Sequence, residues 1–343
     1  MATRALVLGG GGVAGIAWEL GLLSGWAAEG VDVREADLVV GTSAGSVVGA
    51  QLRLDGDLQS LYERQLLPPT GELKVEFDGV STMAAFAEAM KGNTGEQDAR
   101  ARLGALALTV DAVPEAQRRA IIEGRIGDPE WPLGRLVITA VDTADGEFLP
   151  FDASSGVRLL DAVTASCAVP GVWPPVTVGG RRLMDGGMRS VTNADLAAGC
   201  EKVLVVTPTR GMPGGLLGPG LDRELEVLQE GEAEVHVVTA DDAALGVENG
   251  DYLFALTIPR GFSEALASTA DFDPQQGTLL LTTNAANNYL STTIADCDDL
   301  LATAYQTRTR LYVGHNMRHM PVIRQLRDVI TAGRIGAVRS VWC

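Results

Sequence analysis

The segment Gly41-Thr42-Ser43-Ala44-Gly45 sets a serine between glycines, directly after the apolar run Leu38-Val39-Val40 and directly before Ser46-Val47-Val48-Gly49-Ala50. A strand that delivers a serine into a tight turn, with a helix carrying the chain away, makes a nucleophile elbow. The flanking glycines leave room for strained backbone. Ser43 is the candidate nucleophile, with Gly41 and Gly45 as supports. A tight strand-to-helix turn that happens to hold a serine would read the same way. Histidine, the usual proton acceptor for such a serine, first occurs at His236 and then at His315 and His319. The base has to come from elsewhere.

Two other glycine-bearing segments suit acyl transfer. Gly9-Gly10-Gly11-Gly12-Val13-Ala14-Gly15 follows the apolar run Ala5–Leu8. Backbone N–H groups can converge on an anion there, and a helix starting behind them adds its positive end. In acyl transfer the anion is the tetrahedral oxyanion, and each well-placed donor is worth roughly 3–4 kcal/mol of barrier. Gly10, Gly12 and Gly15 also fit the G-x-G-x-x-G of a dinucleotide site, and so a nicotinamide-dependent oxidoreductase. That reading expects an acidic ribose ligand after the second strand, where this chain has its serine elbow. The oxyanion hole is the better fit.

The third segment is Leu183-Met184-Asp185-Gly186-Gly187. Gly186 and Gly187 let the backbone bend sharply, so the Asp185 carboxylate can project into a cleft. In contact with the serine, such a carboxylate can act as general base. An ordinary aspartate, with a pKa of about 3.9, is ionised but weakly basic at neutral pH unless its site raises that value. A local Asx-type turn is the other reading of Asp185.

The elements that must hold these residues can be read from periodicity. Ala5–Leu8 and Leu38–Val40 read as short buried strands, and Ile16, Leu20, Leu23 and Ala27 have helical spacing up to a stop at Gly30. Residues 58–124 are helical and alanine-rich, with Pro114 suited to the first turn of a helix. Arg135–Val141 and Glu147–Phe151 flank Asp145-Gly146 as a hairpin, a helix is expected over 157–165, and a second hairpin turns at Gly179-Gly180. Lys202–Thr207 and Glu234–Thr239 are further strands, with an acidic helix around Leu221–Leu228 between them. Strands alternating with helices predict an α/β fold with a mainly parallel central sheet between helical layers.

Composition narrows the function classes. A chain of 343 residues with net charge −17 and three lysines has no basic footprint for nucleic acid, and it disfavours electrostatic docking on anionic lipid. The four cysteines (Cys167, Cys200, Cys297, Cys343) form no CxxC pair, so reduced thiols in the cytoplasm are the expectation. Gly9–Gly12 break any signal-peptide helix at the N-terminus, and no apolar run reaches the ~18 residues that span a bilayer.

In this order the segments GGGGVAG, GTSAG and DGG resemble the patatin-like phospholipases, over roughly residues 3–243. Ala165-Ser166-Cys167-Ala168-Val169-Pro170-Gly171 and Asp185-Gly186-Gly187-Met188-Arg189-Ser190 are similar to that family's wording too. The resemblance implies a three-layer α/β/α fold and a serine acyl hydrolase acting on a lipid or small acyl-ester substrate, with a membrane surface as one place to meet it. It also implies a Ser43–Asp185 dyad without histidine, no metal and no cofactor, and Gly10, Gly11, Gly12 and Val13 at or beside the oxyanion hole. Gly15, Gly41, Gly45, Gly186 and Gly187 would support the motifs. Many relatives carry Arg or Lys where this chain has Ala14, which removes a cation near the site and leaves a non-catalytic scaffold as an alternative.

The rest of the chain reads differently. From Asn287 onward seven arginines face four aspartates, a net +3 that leaves −20 on residues 1–286. Tyr312–Pro321 and Gly333–Gly336 resemble a piece of the glucose-fructose oxidoreductase and inositol dehydrogenase type of enzyme. The active-site lysine of that type is missing, since the corresponding region reads Asn287-Asn288-Tyr289-Leu290. The expected organisation is therefore an acyl hydrolase domain over 1–243, an unassigned segment over 244–289, and a divergent, catalytically empty tail over 290–343.

Overall fold

The apolar runs become strands, and the central ones alternate between two buried faces. In the computed structural model, which describes residues 3–54, 56–67, 79–109, 113–211, 217–240, 254–257 and 280–283, these are β1 (Arg4–Leu8), β2 (Leu38–Gly41), β3 (Arg135–Asp142), β4 (Phe148–Phe151), β5 (Val176–Val178), β6 (Arg181–Asp185), β7 (Lys202–Thr207) and β8 (Glu234–Thr239). The helices are α1 (Gly12–Ala28), α2 (Ala44–Arg53), α3 (Leu58–Gln65), α4 (Gly79–Ala89), α5 (Glu96–Ala107), α6 (Glu115–Ile126), α7 (Leu159–Ser166) and α8 (Gly220–Glu230). Leu6, Leu8 and Val39 point into a core shared with α1, α2, α6 and α7. Ala5, Val7, Leu38 and Val40 point the other way, into a core closed by α8 and a short 3-10 turn at Ala194–Ala197. Period-two burial on both faces is what a central strand requires. The result is the three-layer α/β/α fold expected from the sequence.

Hydrogen-bonded neighbours in the sheet run β5-β6-β3-β2-β1-β7-β8, with β4 also paired to β3. The pairs β3–β2, β2–β1, β1–β7 and β7–β8 are parallel. Both expected hairpins form, β3–β4 around Asp145-Gly146 and β5–β6 around Gly179-Gly180, and with the β3–β6 pair they make the antiparallel part. Two boundaries differ from the sequence reading. Pro114 is the residue capping α6 rather than part of its first turn. The helix expected from residue 157 starts at Leu159, after Arg158 in an extended conformation.

The register of β3 positions the site. Ile138 pairs with Gly41 of β2 on one side and Phe151 of β4 on the other, while Ala140 pairs with Leu149 of β4 and Asp185 of β6. A strand has only two edges, so β2 and β6 lie end to end along the same edge of β3. Parallel β2 occupies it up to Gly41 and then leaves through the serine turn. Antiparallel β6 arrives from the opposite direction and ends there at Asp185.

The chain divides after Thr239 into two units. In the second, β9 (Phe254–Thr257) and β10 (Leu280–Thr283) form an antiparallel pair inside the segment left unassigned above. The oxidoreductase-like reading of 290–343 falls outside the described residues, as do His315 and His319. Among the described residues, no helix is long and apolar enough to cross a membrane.

Candidate active site

Ser43 caps α2 with φ 53° and ψ −113°, a conformation rarely open to a residue with a side chain. The fold holds it there by its own peptide groups. Its N–H donates to Ser166 Oγ at 2.9 Å. Its carbonyl accepts from Ser46 Oγ at 2.6 Å and from Cys167 Sγ at 3.3 Å, and from the Ser46 amide at 3.0 Å. Close approach explains the glycine after it. A Cβ on Gly45 would stand 2.1 Å from the Leu8 carbonyl oxygen, so only glycine lets α2 start against the end of β1. One on Gly41 would stand 2.5 Å from the Gly45 carbonyl oxygen.

Asp185 ends β6 with ordinary extended backbone, φ −51° and ψ 132°. Its N–H donates to the Ala168 carbonyl at 2.9 Å, and its Oδ1 accepts from the Gly187 amide at 2.7 Å. The Asx-type turn of the sequence reading therefore exists, and it uses one carboxylate oxygen. The other, Oδ2, is buried and makes no hydrogen bond of ordinary geometry among the described residues. Asp185 is 1% exposed and Ser43 8%. Burial pushes the Asp185 carboxyl up to about 7, against the Gly187 amide, the Ser43 hydroxyl and the Arg118 guanidinium, which all favour the ionised form. The structure therefore brings Ser43 and Asp185 into one site.

Asn193 ties the two sides together. It is fully buried and left-handed, φ 49° and ψ 40°, a conformation asparagine tolerates better than most residues. Its Nδ2 reaches Thr42 Oγ1 at 3.1 Å, Gly186 O at 3.3 Å and Ser190 O at 2.8 Å. Thr42 precedes the serine and Gly186 follows the aspartate. Thr42 Oγ1 also meets Thr139 Oγ1 of β3 at 3.0 Å. A Cβ on Gly186 would collide with that same Thr139 side chain at 2.2 Å.

The glycine loop lies against the nucleophile. A Cβ on Gly10 would come within 3.6 Å of Ser43 Cβ, and one on Gly15 within 3.2 Å of Ala44 Cβ. The Gly10 N–H is engaged, donating to Val191 O at 2.7 Å, so it is not free to meet a ligand. Gly11, Gly12 and Val13 are exposed where α1 begins, and first-turn amides have no partner inside a helix. His236, the one histidine among the described residues, is exposed on β8 beside Glu234, near Arg4 and Ala5 at the start of β1. Ser43 follows the far end of the parallel strands.

Several residues around the pair have no role in the sequence reading. Ser166 and Cys167 were visible within a family-like string. The stripe Arg118, Ile122, Ile126, where a cation interrupts an apolar spacing, is a signal the sequence reading did not use. Asn193 gave no local signal, because its partners are distant in sequence.

The chain aligns with VipD from Legionella pneumophila at 14% identity and TM-score 0.34, covering 97% of this chain and 65% of VipD. It aligns with the type III effector protein ExoU at 14% identity and TM-score 0.27, covering 67% and 51% respectively. The chain thus spans less than two thirds of either protein. The family model for patatin-like phospholipase matches residues 6–198, more than half of the sequence. With that match laid over the elbow, the glycine loop and the aspartate turn, the chain belongs to the patatin-like phospholipase family.

Proposed function

We propose that the protein is a serine acyl hydrolase of the lipid esterase or phospholipase A type, working with a Ser43–Asp185 dyad. Ser43 Oγ bonds to the ester carbonyl carbon as its proton passes to Asp185, and the amides of Gly11, Gly12 and Val13 receive the negative charge on the carbonyl oxygen. Collapse of that intermediate expels the alcohol, which takes the proton from Asp185. Water then attacks the acyl-enzyme, giving its proton to Asp185, and Ser43 leaves with that proton as the fatty acid is released. The observation that carries this reading is a strained serine beside a buried carboxylate whose pKa sits about 7. A general base works best when its pKa is close to the operating pH. The G-x-G-x-x-G alternative gains nothing here, since β2 runs into the serine turn rather than to a ribose acid.

The substrate class is a long or short acyl ester, met in the cytosol or at a membrane surface. Turnover of p-nitrophenyl butyrate and of a fluorogenic phosphatidylcholine by wild type, Ser43→Ala and Asp185→Asn tests the proposal. Activity in wild type and loss in both variants is expected, and equal turnover by all three would overturn it.

A further inference from the structure

Ala14 leaves the glycine loop without a cation, yet a buried guanidinium lies on the segment that holds Ser43. Arg118 of α6 is 4% exposed, a position where a charge is costly unless the surroundings offset its lost hydration. Its guanidinium lies over the Trp173 ring, 3.9 Å from the centroid, and its Nη2 donates to Cys167 O at 3.4 Å. The next carbonyl along, that of Ala168, receives the Asp185 N–H at 2.9 Å. The Arg118 guanidinium and the Asp185 backbone N–H thus bind adjacent peptides of one short segment. Ser166 and Cys167, from that same segment, hold Ser43.

We propose that Arg118 is a positioning residue that supplies the positive charge balancing the Asp185 carboxylate. The proposal rests on the Ser43–Asp185 reading above. The groups facing Asp185 are the Ser43 hydroxyl at the elbow, the Cys167 thiol after α7 and Arg118 itself. On its own strand, Arg181 is bound to Asp142 and Glu147, and Arg182 to Glu115, so both have carboxylates of their own. Burial favours the protonated acid and Arg118 opposes it. Removing the guanidinium must therefore move the carboxyl to higher pH, and a base that must be ionised is lost first at low pH.

The test is the pH profile of kcat/KM for p-nitrophenyl butyrate in wild type, Arg118→Met and Arg118→Lys, with folding followed by circular dichroism. Methionine keeps an unbranched chain against Trp173 without the charge; lysine keeps the charge. Arg118 is the smallest of the influences on Asp185, so the acid limb should move up by a fraction of a pH unit in Arg118→Met, and the rate should fall about twofold to threefold at pH 6 and change little at pH 9. Arg118→Lys should restore most of the limb. An unmoved limb in folded Arg118→Met, a loss equal at every pH, or a lysine variant no better than methionine would overturn the proposal. Should Arg118→Met not fold, Arg118→Gln keeps donors for Cys167 O without the charge and makes the same comparison. Wild-type turnover by Asp185→Asn would instead remove the dyad reading itself, so the two failures are distinguishable.

Discussion

Ser43 and Asp185 stand at the ends of two strands laid along one edge of β3, but the fold holds them in unusual states by opposite means. On the serine side the chemistry is ordinary and the backbone is not: φ 53° at a residue with a side chain, fastened by Ser166, Ser46 and Cys167. On the aspartate side the backbone is ordinary and the charge is not, with a carboxyl buried until its pKa reaches about 7. One stores conformational strain, the other electrostatic strain. Substitutions on the two sides should therefore separate in kind.

The largest effects come from the reacting groups. Ser43→Ala should lower kcat by about 10⁴-fold or more, and Asp185→Asn by about 10³-fold or more, read with the chromogenic ester. Their stabilities should differ. Folding raises the Asp185 pKa above its unfolded value of about 3.9, so the native state holds that proton more tightly. Stability from this group is fully present below about pH 4 and is lost as pH rises through about 7. Asparagine escapes that loss, so Asp185→Asn should melt higher than wild type at pH 8, by roughly 2 kcal/mol in urea titration, with the gain vanishing near pH 4. A variant with no gain at pH 8 would remove the electrostatic half of the contrast.

The next effect is on the conformational half. Ser166→Ala leaves the Ser43 amide without its acceptor in a buried turn, which should destabilise the protein by about 1–3 kcal/mol. It should also slow turnover about 10-fold to 100-fold at unchanged KM. Cys167→Ala removes a weak thiol donor to the same residue and should cost about 1 kcal/mol, with less than about threefold change in kcat. If Cys167→Ala proved the more harmful of the two, the amide would not be the fastening point.

Much of this was legible in the chain itself. Ala5–Leu8, Leu38–Val40 and Val203–Val206 declare strands through unbroken apolar runs, and Asp145-Gly146 and Gly179-Gly180 declare their turns, both glycines of the second at positive φ. Ser43 and Asp185 were legible because small residues around them are demanded by close backbone contacts, at Leu8 O for Gly45 and at Thr139 for Gly186. What stayed hidden depends on register between distant segments. No local pattern says that β6 should share an edge with β2, or that Asn193 should meet Thr42, 151 positions away. The engagement of Gly10 by Val191 was hidden for the same reason, and it leaves Gly11, Gly12 and Val13 as the proposed oxyanion donors.

The central claim is that Asp185, with no imidazole, activates Ser43. Its most direct measurement is the rate at which a fluorophosphonate probe labels the folded protein, with the modified residue mapped by mass spectrometry, in wild type and Asp185→Asn. The account predicts a single adduct on Ser43 whose rate rises with pH to a plateau, half-maximal about pH 7, and falls at least about 100-fold in the asparagine variant. Equal labelling of both proteins, or an adduct on another residue, would contradict it.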